Sequence, residues 1–302
     1  MKRFLIKIAF FCIVLFSIDT VAGVVFKGWL KNVTTGSLGK DNYICDYCNE
    51  DVLIFGSSRA ELHYNAKLIE DSLGFSTFNC GANGSGIILS YGRLLMVNER
   101  YSPKLVVLEI TPEFDIIEGW DNKKDLQDLR RHYERAGIPQ IFESVDKMEK
   151  YKMYSNLYRY NSDFAHNPLR LFSHTQFNRN GLGVQGFLAQ NESFDSLKVK
   201  KRIHNETFKV DSLKLYYLER FTIEAKKNSK LVYVLSPYYN GRDSVIFDSV
   251  RMLSEKYSVP LFDFTNSLRF LHNKDYFKDG VHLNAQGADL FSQEVIKKLK
   301  FM

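Results

Sequence analysis

The sequence predicts an α/β protein, a three-layer α/β/α domain around a parallel sheet of about five strands. Three observations carry that prediction. Short apolar runs, at residues 52–55 and at 105–110 where only Glu109 interrupts, fit strands buried on both faces. Segments of about a dozen residues with helical apolar spacing separate such runs, as βαβ units require. The alternation stops near residue 115 and resumes near residue 211, so a single sheet is interrupted by an insertion.

In chain order, Met1-Lys2-Arg3 opens a segment in which residues 8–18 carry no charge, Asp19 interrupts, and residues 21–26 are apolar again. Two readings of residues 1–26 compete. A cleaved signal peptide has a basic start, a short apolar core and small residues at the cut, which Thr20-Val21-Ala22 roughly supplies. An uncleaved anchor needs about 20 apolar residues, which residues 4–26 reach by tolerating Asp19. The apolar residues beyond the cut favour the anchor. Either way the basic end stays inside and the rest is exported. The expected location is therefore the cell envelope, membrane-anchored, with a secreted or periplasmic form as the alternative.

Residues 27–50, with Asn32, Thr34, Thr35, Gly36, Ser37 and Gly39 among scattered charges, show no sustained period and read as a stalk. The domain then occupies residues 51–302, with the insertion at about 115–210. Its first strand ends in Gly56-Ser57-Ser58-Arg59. Leu62, Ala66, Leu68, Ile69 and Leu73 then mark a helix over 61–73, stopped by Gly74. A second strand at 76–80 runs into Gly81-Ala82-Asn83-Gly84-Ser85-Gly86, followed by a helix over 87–100 and the third strand. The insertion has helical stretches around 125–135 and 144–154, then loops rich in Asn, Gly and His over 173–205. After it come a helix at 211–227, a strand at 231–235, a helix at 244–257, a strand at 260–263 and a last helix at 285–299.

Composition narrows the function classes. Hydrophobic residues make up 45% and charged residues 25%, so the chain is globular. The net charge of +6 is spread along the chain, which gives no nucleic-acid footprint. Cys45-Asp46-Tyr47-Cys48 lacks the second pair a zinc site needs, and it precedes a strand, where a redox pair would follow one. A local disulfide or two unrelated thiols remain for it. No metal or cofactor is expected.

Two stretches carry chemistry. Ser57 and Ser58 lie between a buried strand and a helix, where open α/β sheets place ligands and where helix amides stabilise negative charge. Capping of the helix is the plainer use of either serine. Near the other end, Asp279-Gly280-Val281-His282 precedes the last helix. A turn there would put a carboxylate on Nδ1 of His282, leaving Nε2 to accept a proton. A serine hydroxyl needs such a base to become a nucleophile. Both stretches follow strands and so open on the same edge of a parallel sheet. The turn at Asn83-Gly84 opens there too, and its amide could donate to an oxyanion.

These residues resemble those of the SGNH (GDSL-type) esterases and acyltransferases. Gly56-Ser57-Ser58 is similar to the Gly-Asp-Ser first block, with Ser57 in place of Asp. Asn79 and Gly84 match the second block, and Asp279 and His282 match the terminal Asp-x-x-His. The resemblance covers roughly residues 51–113 and 230–299 and implies a flavodoxin-like sheet. It implies that Ser58 is the nucleophile, His282 the base, Asp279 its partner, and that the amides of Ser58 and Gly84 form the oxyanion hole. One departure stands out: where the family carries Gly-x-Asn-Asp after the third strand, this chain has Thr111-Pro112-Glu113-Phe114-Asp115. An ionised Glu113 accepts hydrogen bonds and would oppose an oxyanion.

The activity so implied is hydrolysis or transfer of an O-acyl group, O-acetyl above all, on an envelope or extracellular glycan through an acyl-enzyme. A non-catalytic glycan-binding or envelope-assembly protein on the same fold is the alternative. Arg59, His63, Asn83 and Glu113 are candidate substrate contacts; Arg59 has a competing structural use as partner of Glu109 or Glu113. Gly181-Leu182-Gly183-Val184-Gln185-Gly186 has the Gly-x-Gly-x-x-Gly spacing, but no strand precedes it. The chain has no Gly-x-Ser-x-Gly and no His-Glu-x-x-His.

Overall fold

The computed structural model describes residues 1–160, 183–199 and 207–301. Five parallel strands form the sheet: β1 (Val52–Phe55), β2 (Thr77–Asn79), β3 (Leu105–Glu109), β4 (Lys230–Leu235) and β5 (Leu261–Asp263). Their order is β2-β1-β3-β4-β5, a doubly wound arrangement whose direction of winding reverses between β1 and β3. Ile54 pairs with Val107, which pairs with Val232, so three buried strands stack their apolar residues in register.

The absence of alternation in β1 now has its cause: both faces are covered. Val52, Ile54, Val107, Val232 and Val234 pack against α3 (Ser58–His63), α4 (Ala66–Leu73) and the carboxyl-terminal helix α9 (Ala285–Leu299). Leu53, Phe55, Val106, Leu108 and Tyr233 face the other layer. That layer holds α5 (Ile87–Asn98), α7 (Ser212–Ala225) and α8 (Asp248–Lys256).

The helix expected over 61–73 is two helices. Tyr64 is extended, and the Asn65 side chain accepts from the Leu68 amide at 3.2 Å, starting α4 afresh. The Asn65 amide meanwhile donates to Ser292 Oγ of α9. Within the insertion, the helical stretch expected around 125–135 is a pair of short 3-10 turns, Asn122–Leu126 and Arg130–His132. The regular helix α6 lies at Ile138–Val145, and a single turn follows at Glu149–Lys152.

Residues 27–50 depart furthest from expectation. Helix α1 runs over Lys2–Leu30, and α2 (Gly36–Asn42) with a wide turn at Tyr43–Tyr47 follows it. Ile44, Cys45 and Cys48 are buried in the core beside α5. From Val33 onward this stretch packs into the domain instead of standing off it as a stalk. Its polar residues are satisfied from a distance. Lys40 Nζ reaches Glu61 Oε1 at 3.0 Å, the Gly81 carbonyl at 2.6 Å and the Gly186 carbonyl at 2.8 Å. Asp41 accepts from Arg93 Nε at 2.7 Å and from Arg131. Cys45 and Cys48 are separate thiols whose burial raises both pKa values.

Among the described residues, α1 is the one helix long and apolar enough to cross a membrane, and it is almost wholly exposed. Gly181 and Leu182 of the glycine-spaced motif lie outside the described residues, as do His166, His174 and His204. Its later part lies against the outer edge of β2, where the Asn79 amide donates to the Gln185 carbonyl at 2.9 Å. Gly186 has φ +84°, and a Cβ there would sit 2.1 Å from the Asn79 carbonyl, so the glycine serves close backbone approach.

Candidate active site

Gly56 follows β1 with φ +141°, and a Cβ would lie 2.6 Å from the Glu109 carbonyl of β3. Only glycine makes this turn without displacing the neighbouring strand. Ser57 occupies the cap position of α3, yet its side chain does not cap the helix. Ser57 Oγ bonds instead to Thr111 Oγ1 after β3, at 2.8 Å. Ser58 is thereby the first helical residue, at the carboxyl end of β1 beside the point where the winding reverses.

The loop after β5 supplies the partners. Asp279 Oδ1 accepts from the amides of Val281 and His282, both at 2.8 Å, and Oδ2 meets His282 Nδ1 at 2.9 Å. The Lys278 amide donates to the His282 carbonyl at 3.0 Å, and Phe277 pairs with Leu283 across the turn. Asn284 caps α9 by accepting from the Gly287 amide at 2.9 Å. So clamped, His282 directs Nε2 to Ser58 Oγ at 3.0 Å. Because Nδ1 faces a carboxylate, the proton belongs on Nδ1, and the Ser58 hydroxyl donates to Nε2. Burial pushes Asp279 up, but the His282 ring bond and charge and the two amides outweigh it and hold the carboxyl down at about 2.

Behind His282 lies His63, fully buried, with ring centroids 6.3 Å apart. Its Nε2 accepts from the Leu283 amide at 3.1 Å, which fixes the backbone next to His282. Burial, then the nearby Arg59 and His282, push its pKa well below the usual histidine value, so it is a neutral acceptor.

The glycine turn after β2 borders the same edge. The Ala82 amide donates to the Gly56 carbonyl at 3.0 Å, and Asn79 Nδ2 donates to the carbonyls of Ala60 and Tyr64 at 2.7 and 3.0 Å. Asn79 Oδ1 in turn accepts from the Gly81 amide. This polar lock holds the turn against α3, with Gly84 beside the Trp120 ring. The amides of Ser58 and Gly84 donate to no protein acceptor among the described residues.

Of the four candidate substrate contacts, two belong elsewhere. Arg59 is only 2% exposed. It donates through Nη2 to the Ser236 and Pro237 carbonyls, lies 3.8 Å from Glu109 and stacks 3.8 Å over the Tyr238 ring. It is a strut beneath the site, as is His63, and neither presents its charge or ring to solvent. Asn83 is exposed at the tip of its turn. Glu113 stays half-exposed and accepts from Arg242 Nη2 at 2.8 Å. Arg242 and Tyr238 were not expected beside the site, nor was the bond from Thr111 to Ser57. Arg242 and Tyr238 follow β4 on the ligand-facing edge, which was the available signal; nothing in the sequence pairs Thr111 with Ser57.

No known family model matches the chain, and no curated protein matches its sequence. Similar solved structures include a protein described as lipolytic and of the G-D-S-L family from Desulfitobacterium hafniense. It is 8% identical, with 82% of this chain and 98% of that one aligned, at a TM-score of 0.37. A two-domain esterase active on acetylated mannans is 12% identical, over 83% of this chain and 49% of that one, at 0.39. A gut microbial diltiazem-metabolising enzyme is 11% identical, over 85% and 48%, at 0.40.

Proposed function

We propose that this chain is a serine-dependent ester hydrolase or O-acyltransferase with Ser58 as nucleophile, His282 as base and Asp279 as its orienting partner. One observation carries the reading: the unbroken relay from Ser58 Oγ to His282 Nε2 at 3.0 Å and from His282 Nδ1 to Asp279 at 2.9 Å. Distances of this size allow proton transfer without rearrangement.

In this mechanism Ser58 Oγ attacks the ester carbonyl carbon and its proton passes to His282 Nε2. The carbonyl oxygen takes up the electron pair, and the free amides of Ser58 and Gly84 donate to it. Collapse re-forms the carbonyl, breaks the bond to the alcohol, and returns the proton from His282 to that alcohol. Water or a sugar hydroxyl then attacks acyl-Ser58, with His282 again as base, releasing an acid or a new ester and restoring Ser58. Asp279 stays ionised throughout and stabilises the imidazolium that forms. A glycan O-acyl group, O-acetyl in the first instance, is the proposed substrate. The proposed location is the cell envelope, with α1 as an uncleaved anchor.

The second reading, a glycan-binding or assembly protein without catalysis, draws on one feature. The loop after β3 offers Glu113, held by Arg242, where a third oxyanion donor would serve. A fluorophosphonate probe separates the two. Labelling of the folded protein at Ser58, with turnover of an aryl acetate, supports catalysis; an unlabelled Ser58 in folded protein leaves the binding reading. Labelling that survives Ser58→Ala and disappears with Ser57→Ala would move the nucleophile by one residue.

A further inference from the structure

We propose that the face formed by residues 147–157 rests on the membrane surface beside α1, so that the helix holds the domain against the bilayer. This rests on the reading of α1 as an uncleaved anchor. The key is where α1 leaves the domain. Residues 1–18 are all exposed, whereas Asp19 is gripped by the chain at 155–157. Its Oδ1 accepts from Ser155 Oγ at 2.7 Å and the Leu157 amide at 2.9 Å; its Oδ2 accepts from the Asn156 amide and side chain at 2.8 and 3.1 Å. One turn later Gly23 packs so closely on Asn156 that a Cβ would lie 2.4 Å from its Cγ. Phe26 then meets the Tyr160 ring edge-on, and Lys27 pairs with Glu134.

The free part is therefore residues 4–18, apolar but for Lys7 and Ser17, with Lys7 close enough to the basic end to snorkel outward. At about 1.5 Å per residue it spans about 22 Å, short of a hydrocarbon layer of about 30 Å. The shortfall draws the level of Asp19, and with it residues 147–157, down to the interface. The side chains there suit that position. Met148 is 59% exposed, Tyr151 56%, Tyr154 82% and Leu157 44%, interleaved with Lys147, Lys150 and Lys152. Tyrosines place an apolar ring and a wet hydroxyl at the headgroup layer; Lys150 and Lys152 are paired with Glu143 and Glu149 and offer their apolar stems there, and Lys147 adds a further cation. On α1 itself Val21, Val24 and Val25 continue the apolar surface past Asp19. Four donors on the Asp19 carboxylate reduce its loss on leaving bulk water.

The test uses the full chain with Cys12→Ser, reconstituted in phosphatidylcholine vesicles containing phosphatidylglycerol. An environment-sensitive fluorophore is attached at Phe10→Cys, Tyr154→Cys or Leu268→Cys, the last an exposed control after β5. Lipids carrying a quencher in the headgroup or deep in the acyl chain are then compared. The expected result is about a twofold greater headgroup quenching at position 154 than at 268, with deep quenching at position 10. Deep quenching at 10 with 154 behaving like 268 overturns the platform and leaves the anchor standing. A chain that does not float with vesicles, unquenched at all three sites, overturns the anchor and the platform together. Contact between two copies shifts emission without headgroup quenching, and counts against the proposal.

Discussion

Residues 51–58 and residues 33–50 lie side by side in the chain, and each sends residues into the interior, by opposite routes. The first stretch is apolar and regular. Val52 to Phe55 enter the sheet with no exposed face, and Gly56 turns the chain into α3. The second is polar and irregular, and Lys40, Asp41 and Asn42 are buried because remote partners meet them. Asn42 Nδ2, for instance, donates to the Leu30 and Val33 carbonyls at 2.7 and 2.9 Å. Burial driven by the hydrophobic effect is written locally, since each residue brings its own driving force. Burial by hydrogen bonding and charge is not, since the force resides in the partner. The comparison also separates roles: the first stretch delivers Ser58, and the second fastens α3 and the glycine turn around it through Lys40.

The largest effect that would break this division is at Ser58. Ser58→Ala is expected to lower ester turnover by about six orders of magnitude while leaving thermal unfolding unchanged, because the nucleophile and base act as a unit. If Ser58→Ala retained turnover, the relay would be incidental. Asp279→Asn comes next, with a loss of about 10⁴ in kcat through the wrong His282 tautomer. Asp279 also makes a pH prediction. Its folded pKa, about 2, lies below the unfolded value near 3.8, so its carboxylate contributes stability that is present above pH ~4 and lost as pH falls toward 2. Acid titration of unfolding should therefore show a limb between about pH 4 and 2 that Asp279→Asn flattens.

Lys40→Met tests the second region. It leaves Glu61 buried without its cation and is expected to cost about 3–5 kcal/mol of stability, read by denaturant unfolding. Glu61→Gln added to it should restore part of that loss. An unchanged midpoint in Lys40→Met would mean that residues 33–50 do behave as an appended stalk. The smallest effect is at Asn284, whose replacement by Ala removes one cap from α9. It should cost about 1 kcal/mol and reduce turnover only slightly, by loosening the turn that carries His282.

The class of fold and the five strands, to within a residue or two, were legible in the amino-acid order, and so was the placing of Ser58, Asp279 and His282 on one edge of the sheet. Continuous apolar runs can satisfy themselves only in a doubly covered sheet, and every strand-to-helix loop of a parallel sheet opens on the same edge. An Asp three residues before a His closes its own turn, so that bond was legible from local spacing. That residues 33–50 pack into the domain, and that Ser57 binds Thr111 instead of capping α3, emerged only in the folded chain. So did the support that Arg59 and His63 give the site from beneath. Each of those outcomes depends on a partner at least fifty residues away in Thr111, Ser236 or Leu283, or on the several remote partners of Lys40 and Asp41. A polar side chain does not record in its own neighbourhood which distant group will satisfy it, and only the folded chain brings the two together.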